Sequence, residues 1–181
     1  MCVGEATGAR MISADEESGY LDLLLAHPIS RTRLLLERLA ALIVGAALIA
    51  VVVLAGQLAV RGSAQLDSIS VANFAAQAVH LTLLAIFFGA VAVAIGAATG
   101  RSRATVFGAT AGLGVLGYAV NGFAPQIGVE WLRYLTPMHY YIGGEPMENG
   151  VQVFDAVILV LLTVLVTAAG AQLFNRRDIA R

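Results

Sequence analysis

The chain has 181 residues, of which 59% are hydrophobic and 13% are charged, and its mean hydropathy is +0.81. Soluble domains carry about 25% charged residues, so this composition excludes an ordinary soluble domain, a disordered tail, a collagen-like chain and a disulfide-stapled secreted domain. The net charge of −1 leaves no broad basic face for nucleic acid. The apolar residues gather in long runs, which indicates a membrane protein.

The first predicted element is a short amphipathic helix that begins near Asp15 and ends at the His27-Pro28 pair. Ser13 and Glu16 have the spacing of a capping box at its start. One face of the helix is apolar, whereas its other faces carry acidic residues. A lipid-surface anchor usually has a basic polar face. An anchor and a docking helix for a soluble protein both remain open, and the acidic charge favours docking. The residues that make the apolar face and the acidic faces are Tyr20, Leu21, Leu24, Leu25, Asp15, Glu16, Glu17 and Asp22.

Four apolar runs follow, long enough to cross a bilayer. The first, of roughly 27 residues, would reach about 40 Å as a helix, against a hydrocarbon core of about 30 Å. Arg33 and Glu37 are four residues apart near its start and are expected to pair. The stretch between the third and fourth runs is aromatic, acidic and turn-rich. The four predicted spans are residues 34–60, 71–99, 104–123 and 156–174.

These elements predict an all-α integral membrane protein, a bundle of four transmembrane helices preceded by a cytoplasmic amphipathic helix. The expected division is an N-terminal cytoplasmic segment, the amphipathic helix with its linker, the four-helix membrane domain and a short cytoplasmic tail. These are residues 1–14, 15–33, 34–174 and 175–181.

The arginines predict the orientation, because cytoplasmic loops of membrane proteins are rich in basic residues. With the N-terminus inside, nine arginines are cytoplasmic and only Arg61 and Arg133 are external. Both termini and the turn around Ser102 are then expected in the cytoplasm, and Asn149 outside. An external aromatic belt is expected, formed by Trp131, Tyr134, Tyr140 and Tyr141.

Few polar side chains interrupt the spans. Asn73, Gln77 and His80 come early in the second span, and Asn121 comes late in the third. Polar groups in a membrane either hydrogen-bond neighbouring segments or line a substrate path, and both interpretations stay open. No acidic residue lies deep in a span, which argues against an ion-coupled transporter and an intramembrane enzyme.

The sequence offers few side chains for catalysis, cofactor binding or metal binding. All 11 cations are arginine and Cys2 is the only cysteine, which excludes a standard phosphate-binding loop, Schiff-base chemistry and a cysteine-rich zinc site. Glu145 and Glu148 are interpreted as part of a solvated loop. We therefore expect no catalytic residue, no cofactor and no metal ion, and ATP is not expected to be hydrolysed by this chain.

Glycines recur at spacings that let membrane helices approach closely. Gly96 and Gly100 are four residues apart, as are Gly108 and Gly112. Packing within one chain and a face for a second copy are the two interpretations.

Residues 16–31 read Glu-Glu-Ser-Gly-Tyr-Leu-Asp-Leu-Leu-Leu-Ala-His-Pro-Ile-Ser-Arg. This string resembles the cytoplasmic signature of type-2 ABC transporter permeases: an acidic pair, Gly-Thr-Leu, a leucine cluster, then Pro-Val/Ile-Ser-Arg. Tyr20 stands where that signature has threonine. Two further stretches, 134–150 and 174–179, are similar to the family's segment before its last helix and to its Phe-x-Arg-Arg-Asp-Leu ending.

The resemblance implies a permease half whose cytoplasmic coupling helix docks in a groove of a separate ABC ATPase subunit. The family has six spans, so this chain is expected to lack the first two. We expect it to pair with a second permease half, as a homo- or heterodimer, in a bacterial or archaeal plasma membrane, and to export a lipid, a hydrophobic drug or a polymer. The alternative is a truncated, non-transporting membrane scaffold. The implied docking residues are Glu16, Glu17, Gly19, Leu21, Leu24, Leu25, Pro28 and Arg31.

Overall fold

The computed structural model describes residues 31–176, in which helices account for the regular structure and no strand occurs. Four of its helices are long and apolar enough to cross a membrane. The predicted all-α class with four membrane-spanning helices is thus confirmed. These helices are α1 (Arg31–Val60), α2 (Val71–Thr99), α3 (Arg103–Phe123) and α6 (Val153–Arg176).

Local polar groups define where α2 and α3 begin. The Ser70 hydroxyl accepts a hydrogen bond from the backbone N–H of Asn73, at 3.1 Å, at the start of α2. Ser102 accepts likewise from the N–H of Thr105, at 3.4 Å, at the start of α3. Such serines satisfy N–H groups that have no partner inside the helix. Gly100, with a φ of 58°, ends α2 in the left-handed conformation that glycine adopts at low cost.

The helices extend a few residues beyond the apolar runs. The first begins at Arg31 rather than at residue 34, and the last ends at Arg176 rather than at residue 174. Arginine is a good helix former, and its long side chain reaches polar surroundings while its backbone continues the helix. The expected pair is present in the first turns of α1: Arg33 Nε lies 2.9 Å from Glu37 Oε1.

Residues 124–152, here named the connecting segment, link α3 to α6. Four short helical pieces occur in this stretch, for which the sequence predicted turns. Three of them start at prolines, whose fixed φ suits the first turn of a helix. The pieces are the 3₁₀ turns Pro125–Ile127 and Glu130–Leu135, then α4 (Pro137–Ile142) and α5 (Pro146–Asn149).

The described residues belong to two compact units. The first unit comprises residues 31–44, 85–114 and 162–176. Its apolar core is formed by Leu35, Val93, Ala97 and Phe174, with Ala171 packed against them.

Helices of the first unit approach closely at two glycines. A Cβ on Gly170 would lie 2.6 Å from the Cβ of Ala94, and one on Gly89 would meet the side-chain end of Leu42. Small residues at such contacts let helix backbones pack tightly. The first unit also holds a polar link, in which Asn175 Nδ2 donates to the Thr32 hydroxyl at 3.0 Å.

The second unit comprises residues Gly45–Leu84 and Val115–Leu161. It therefore contains the first half of α2 and the whole connecting segment. Its buried side chains include Phe74, Leu84, Met138 and Leu159, together with one histidine, His80.

Candidate functional site

One face of α2 meets the connecting segment through polar side chains. Asn73, Gln77 and His80 are spaced by four and three residues, so a helix presents them on the same side. Each of the three hydrogen-bonds to residues between positions 140 and 152. The structure thus brings three of the four polar residues predicted from the spans to one surface of the second unit.

Asn73 binds the backbone of α5. Its Nδ2 group donates to the carbonyl oxygen of Met147 at 2.9 Å and to that of Glu148 at 3.0 Å. A helix as short as α5 leaves most of its carbonyl groups without an internal partner. Asn73 supplies two hydrogen bonds to these groups and holds α5 onto α2.

Gln77 binds a tyrosine side chain of α4. Its Nε2 group donates to the hydroxyl of Tyr141 at 2.8 Å. Tyr141 was expected in the external aromatic belt, and its hydroxyl accepts a hydrogen bond from α2. Thus α2 contacts α5 through Asn73 and α4 through Gln77, and these two residues lie about one helical turn apart on α2.

His80 is fully buried, with 0% of its surface exposed. Its Nδ1 atom lies 3.2 Å from the carbonyl oxygen of Tyr140, and the backbone N–H of Gln152 donates to its Nε2 atom at 3.2 Å. A carbonyl oxygen only accepts and an amide N–H only donates. The two hydrogen bonds therefore give Nδ1 the role of donor and Nε2 the role of acceptor.

Asn121 differs from the other three polar residues. Its Oδ1 atom is buried and has no hydrogen-bond partner. Buried polar groups without partners are rare in folded proteins and costly. An amide oxygen in this state keeps both of its lone pairs without a hydrogen bond from the protein.

Aromatic residues of the connecting segment form a cluster around His139. The ring centroids of Tyr134 and His139 lie 4.5 Å apart, and those of His139 and Tyr140 lie 5.2 Å apart, both edge to face. The Tyr140 hydroxyl donates to the carbonyl of Tyr134 at 2.7 Å. Arg133 donates to the Tyr134 hydroxyl at 3.3 Å and lies over that ring. Trp131, expected in the same belt, is exposed.

The pKa values of two residues in this cluster are shifted from their ordinary values. Burial, more than the nearby Arg133 cation, lowers the pKa of His139, and Asp155 opposes the shift. The hydrogen bond to Tyr134 raises the pKa of Arg133. His139 therefore favours its neutral form and Arg133 its charged form.

The predicted coupling-helix residues mostly lie outside the described residues. Glu16, Glu17, Gly19, Leu21, Leu24, Leu25 and Pro28 all precede residue 31. Arg31 is the first residue of α1. Docking at this segment stays a prediction.

The recurring glycines have different surroundings. A Cβ on Gly108 or Gly112 would meet nothing within 4 Å, whereas one on Gly117 would lie 4.0 Å from Met138. Gly114 is buried. Gly108 and Gly112, four residues apart, thus leave space on α3 beside the described residues.

Candidates for other chemistry are few in the described range. No three His, Cys, Asp or Glu side chains come together there in a way that would hold a metal ion. Glu145 and Glu148 are both exposed, and Glu148 lies in the short helix α5 rather than in a loop. Sequence reasoning missed Gln152 and Tyr140 as the partners of His80, because both use backbone groups that no side-chain pattern reveals.

Comparison with known families identifies the chain. The family model described as ABC-2 family transporter protein matches residues 2–179. The chain belongs to this family. The match includes the segment predicted to dock, all four spans and the connecting segment. No curated protein and no solved structure matched the ABC-2 family chain.

Family membership gives the coarse function. The chain is a multi-pass membrane protein with a permease role. ABC-2 permeases are generally not enzymes themselves and work in ABC transporter systems with an ATPase partner.

Proposed function

We propose that this ABC-2 family chain is the membrane subunit of an ATP-driven exporter, with ATP hydrolysed by a separate subunit. The family match over residues 2–179 carries the proposal. Four apolar helices provide the membrane domain. In this proposal, closure of the ATPase pushes on the docking segment and shifts the spans between two packings.

The docking segment is residues 16–31. Its acidic pair, Glu16 and Glu17, would repel anionic lipid headgroups. Its apolar face supplies contact area for a groove in a protein. Together these features support a soluble protein partner rather than a lipid surface.

The proposed orientation has both termini in the cytoplasm of a plasma membrane. It is supported by the unequal distribution of arginines in the sequence. Reporter fusions after Ser102 and Arg181 should then be active as cytoplasmic fusions, and a fusion after Asn149 as an external one. An external result at Ser102 would overturn the orientation.

The polarity of the spans supports the proposed cargo class. No aspartate, glutamate, lysine or arginine occurs between residues 71 and 99 in α2. An uncharged and mostly apolar interior suits a lipid, a hydrophobic drug or a polymer better than a small ion. We propose that Asn73, Gln77, His80 and Asn121 border the pathway, and the support for Asn121 is its buried amide oxygen, which has no protein hydrogen-bond partner.

Charge reversal tests the docking segment. Replacing Glu16 and Glu17 together with arginine should abolish co-purification of the ATPase from native membranes, because reversed charge at a close interface costs about 2–5 kcal/mol. An anchor that binds only lipid predicts the opposite sign, since each added arginine near anionic lipid contributes about 1 kcal/mol. Membrane content is measured in parallel.

The matched control is the double change Glu145→Arg and Glu148→Arg, which alters charge equally at two exposed residues of the connecting segment. It should leave ATPase binding intact. A second, differently tagged copy of the chain in the same cells reports on pairing of permease halves. Retained ATPase binding by the Glu16/Glu17 variant would refute docking at this segment, and no ATPase with the unchanged chain would favour the non-transporting scaffold.

A further inference from the structure

The 3₁₀ turn Glu130–Leu135 combines exposed apolar side chains with an arginine that forms no ion pair with a carboxylate of residues 31–176. We propose that this turn is a phospholipid-binding surface. Arg133 holds the phosphate of a glycerophospholipid of the surrounding bilayer, and Trp131 and Leu135 lie at the level where the headgroup meets the acyl chains. The inference goes beyond the proposed transport function and does not depend on it.

The turn has an apolar face that no part of residues 31–176 covers. Residues three apart in a 3₁₀ helix lie one above the other, so Trp131 and Tyr134 share a side. Trp131 is 61% exposed and Leu135 is 71% exposed, and Tyr134 is exposed as well. Contiguous exposed apolar side chains rimmed by polar groups mark an interaction surface.

The position of the turn in the chain supports a membrane as the covering phase. The connecting segment follows α3 and precedes α6, and both helices are long and apolar enough to cross a membrane. A segment that joins two consecutive spans begins and ends on the same side of the bilayer. Tryptophan and tyrosine are enriched at the level of the headgroups, where one end of the ring is apolar and the other is wet. The headgroup region of the bilayer therefore suits Trp131 and Tyr134.

The guanidinium of Arg133 is incompletely hydrogen-bonded. Its Nη2 atom donates to the Tyr134 hydroxyl at 3.3 Å. Its Nε atom is covered by neighbouring atoms and has no hydrogen-bond partner. A guanidinium has five N–H donors and no acceptor, so most of its donors lack an acceptor within the described residues. Arg133 as a whole is partly exposed, which leaves the group open to an acceptor from outside the protein.

The charge of Arg133 is also poorly neutralised by the protein. The hydrogen bond to Tyr134 is the main reason why the pKa of Arg133 is raised, and the charge of Glu130 has the smallest influence on it. Arg133 is therefore a cation that needs a counter-charge. Phosphate oxygens are negatively charged acceptors that match the donors of arginine. The Tyr134 hydroxyl, which accepts from Arg133, keeps its own hydrogen for a further acceptor.

The two properties of the turn together favour a phospholipid over other anions. A phospholipid has an anionic phosphate directly above apolar chains, and the turn has a cation directly beside exposed apolar side chains. A free phosphate ion would satisfy Arg133 but would leave Trp131 and Leu135 uncovered. A lipid without a phosphate would cover the apolar side chains but would leave the cation without a counter-charge.

Arg61 is the matched contrast within the second unit. Its Nε atom donates to the carbonyl oxygen of Leu66 at 3.3 Å, and its Nη2 atom donates to that of Asp67 at 2.6 Å. These hydrogen bonds engage the guanidinium within its own loop. A lipid phosphate is therefore expected at Arg133 rather than at Arg61.

Fluorescence of Trp131 measures the binding, because it is the only tryptophan of the chain. The full chain is purified in an uncharged sugar detergent and titrated with phosphatidylglycerol that carries bromine, a quencher of tryptophan fluorescence, near the top of its acyl chains. Diacylglycerol with the same brominated chains and no phosphate is titrated in parallel. Phosphatidylglycerol should reach half-maximal quenching at about five-fold lower concentration, the advantage expected for one arginine at an anionic headgroup.

Two variants assign the effect to Arg133. Arg133→Gln should remove the difference between the two lipids, whereas Arg61→Gln changes the net charge equally and should keep it. Arg133→Met, which retains an apolar stem, replaces Arg133→Gln if the latter does not fold. Inorganic phosphate added at the concentration of the lipid should not reverse the quenching, because it does not cover the apolar face.

Each outcome decides for or against the phospholipid surface. A preference for phosphatidylglycerol in the unchanged chain and in Arg61→Gln, absent in the Arg133 variant, supports it. Equal quenching by the two lipids, or no quenching by either, overturns it. A preference that persists without Arg133, or that disappears in Arg61→Gln, also overturns it, because net charge or another group would then be responsible. Reversal by inorganic phosphate would show a free-anion site instead.

Discussion

Each of the two units is held together internally by its own kind of contact. In the first unit, helices approach through small residues such as Gly170 and Ala94 around an apolar core. In the second unit, Asn73, Gln77 and His80 bond a non-spanning segment to α2. Lipid tails are as apolar as leucine, so close packing rather than the hydrophobic effect joins spanning helices. Irregular backbone near a membrane must instead have its polar groups satisfied.

The largest expected effect breaks the close packing of the first unit. Gly170→Ala places a methyl group 2.6 Å from the Ala94 Cβ and 2.8 Å from its Cα. Overpacking of this kind costs about 1–3 kcal/mol, so thermal unfolding in detergent should shift to clearly lower temperature. Gly56→Ala is the control, because that position has nothing within 4 Å and a helical alanine gains about 0.5–1 kcal/mol over glycine. Equal unfolding temperatures for the two variants would contradict the close approach.

Two smaller effects on stability, opposite in sign to each other, are expected in the second unit. Asn121→Leu removes a buried acceptor that has no partner, so the protein should gain about 1 kcal/mol or remain unchanged in stability. Asn73→Leu removes a donor that binds two carbonyl groups and should lose about 1–2 kcal/mol.

The same pair of variants tests the pathway proposal. If Asn121 borders the pathway, Asn121→Leu should reduce cargo-stimulated ATP hydrolysis by the purified complex despite its stability. Such an exchange of stability for activity is common at functional positions. Loss of stability in Asn121→Leu would show that its carbonyl is satisfied after all, and an unchanged cargo response would remove it from the pathway.

The sequence predicts the long helices of the first unit, because apolar runs of this length form membrane helices. It did not predict Gly89 and Gly170 as the places where those helices approach closely. The Arg33–Glu37 pair followed from helical spacing alone and is present. The helix ends were displaced by a few residues, since arginines at the ends continue the helix beyond the apolar run.

The second unit was harder to predict from the sequence. Asn73, Gln77 and His80 were recognisable as polar residues in an apolar helix, but their partners were not. His80 bonds the backbone of residues 60 and 72 positions further along the chain. Backbone groups are present at every residue, so no pattern of side chains marks which ones α2 would reach. The short helices of the connecting segment were missed for a related reason, since pieces this short depend on their neighbours for stability.

The sequence distance of the His80 contact also has a consequence for synthesis. Ribosomes add about 5–20 residues per second, and 72 residues separate His80 from Gln152. After His80 has been added to the chain, about 4–14 seconds pass before Gln152 follows it. For most of that interval the imidazole of His80 and the side-chain amides of Asn73 and Gln77 lack their native hydrogen-bond partners. The His80 contact therefore cannot form before residue 152 is made, and slower translation between these codons lengthens the time that α2 spends without it.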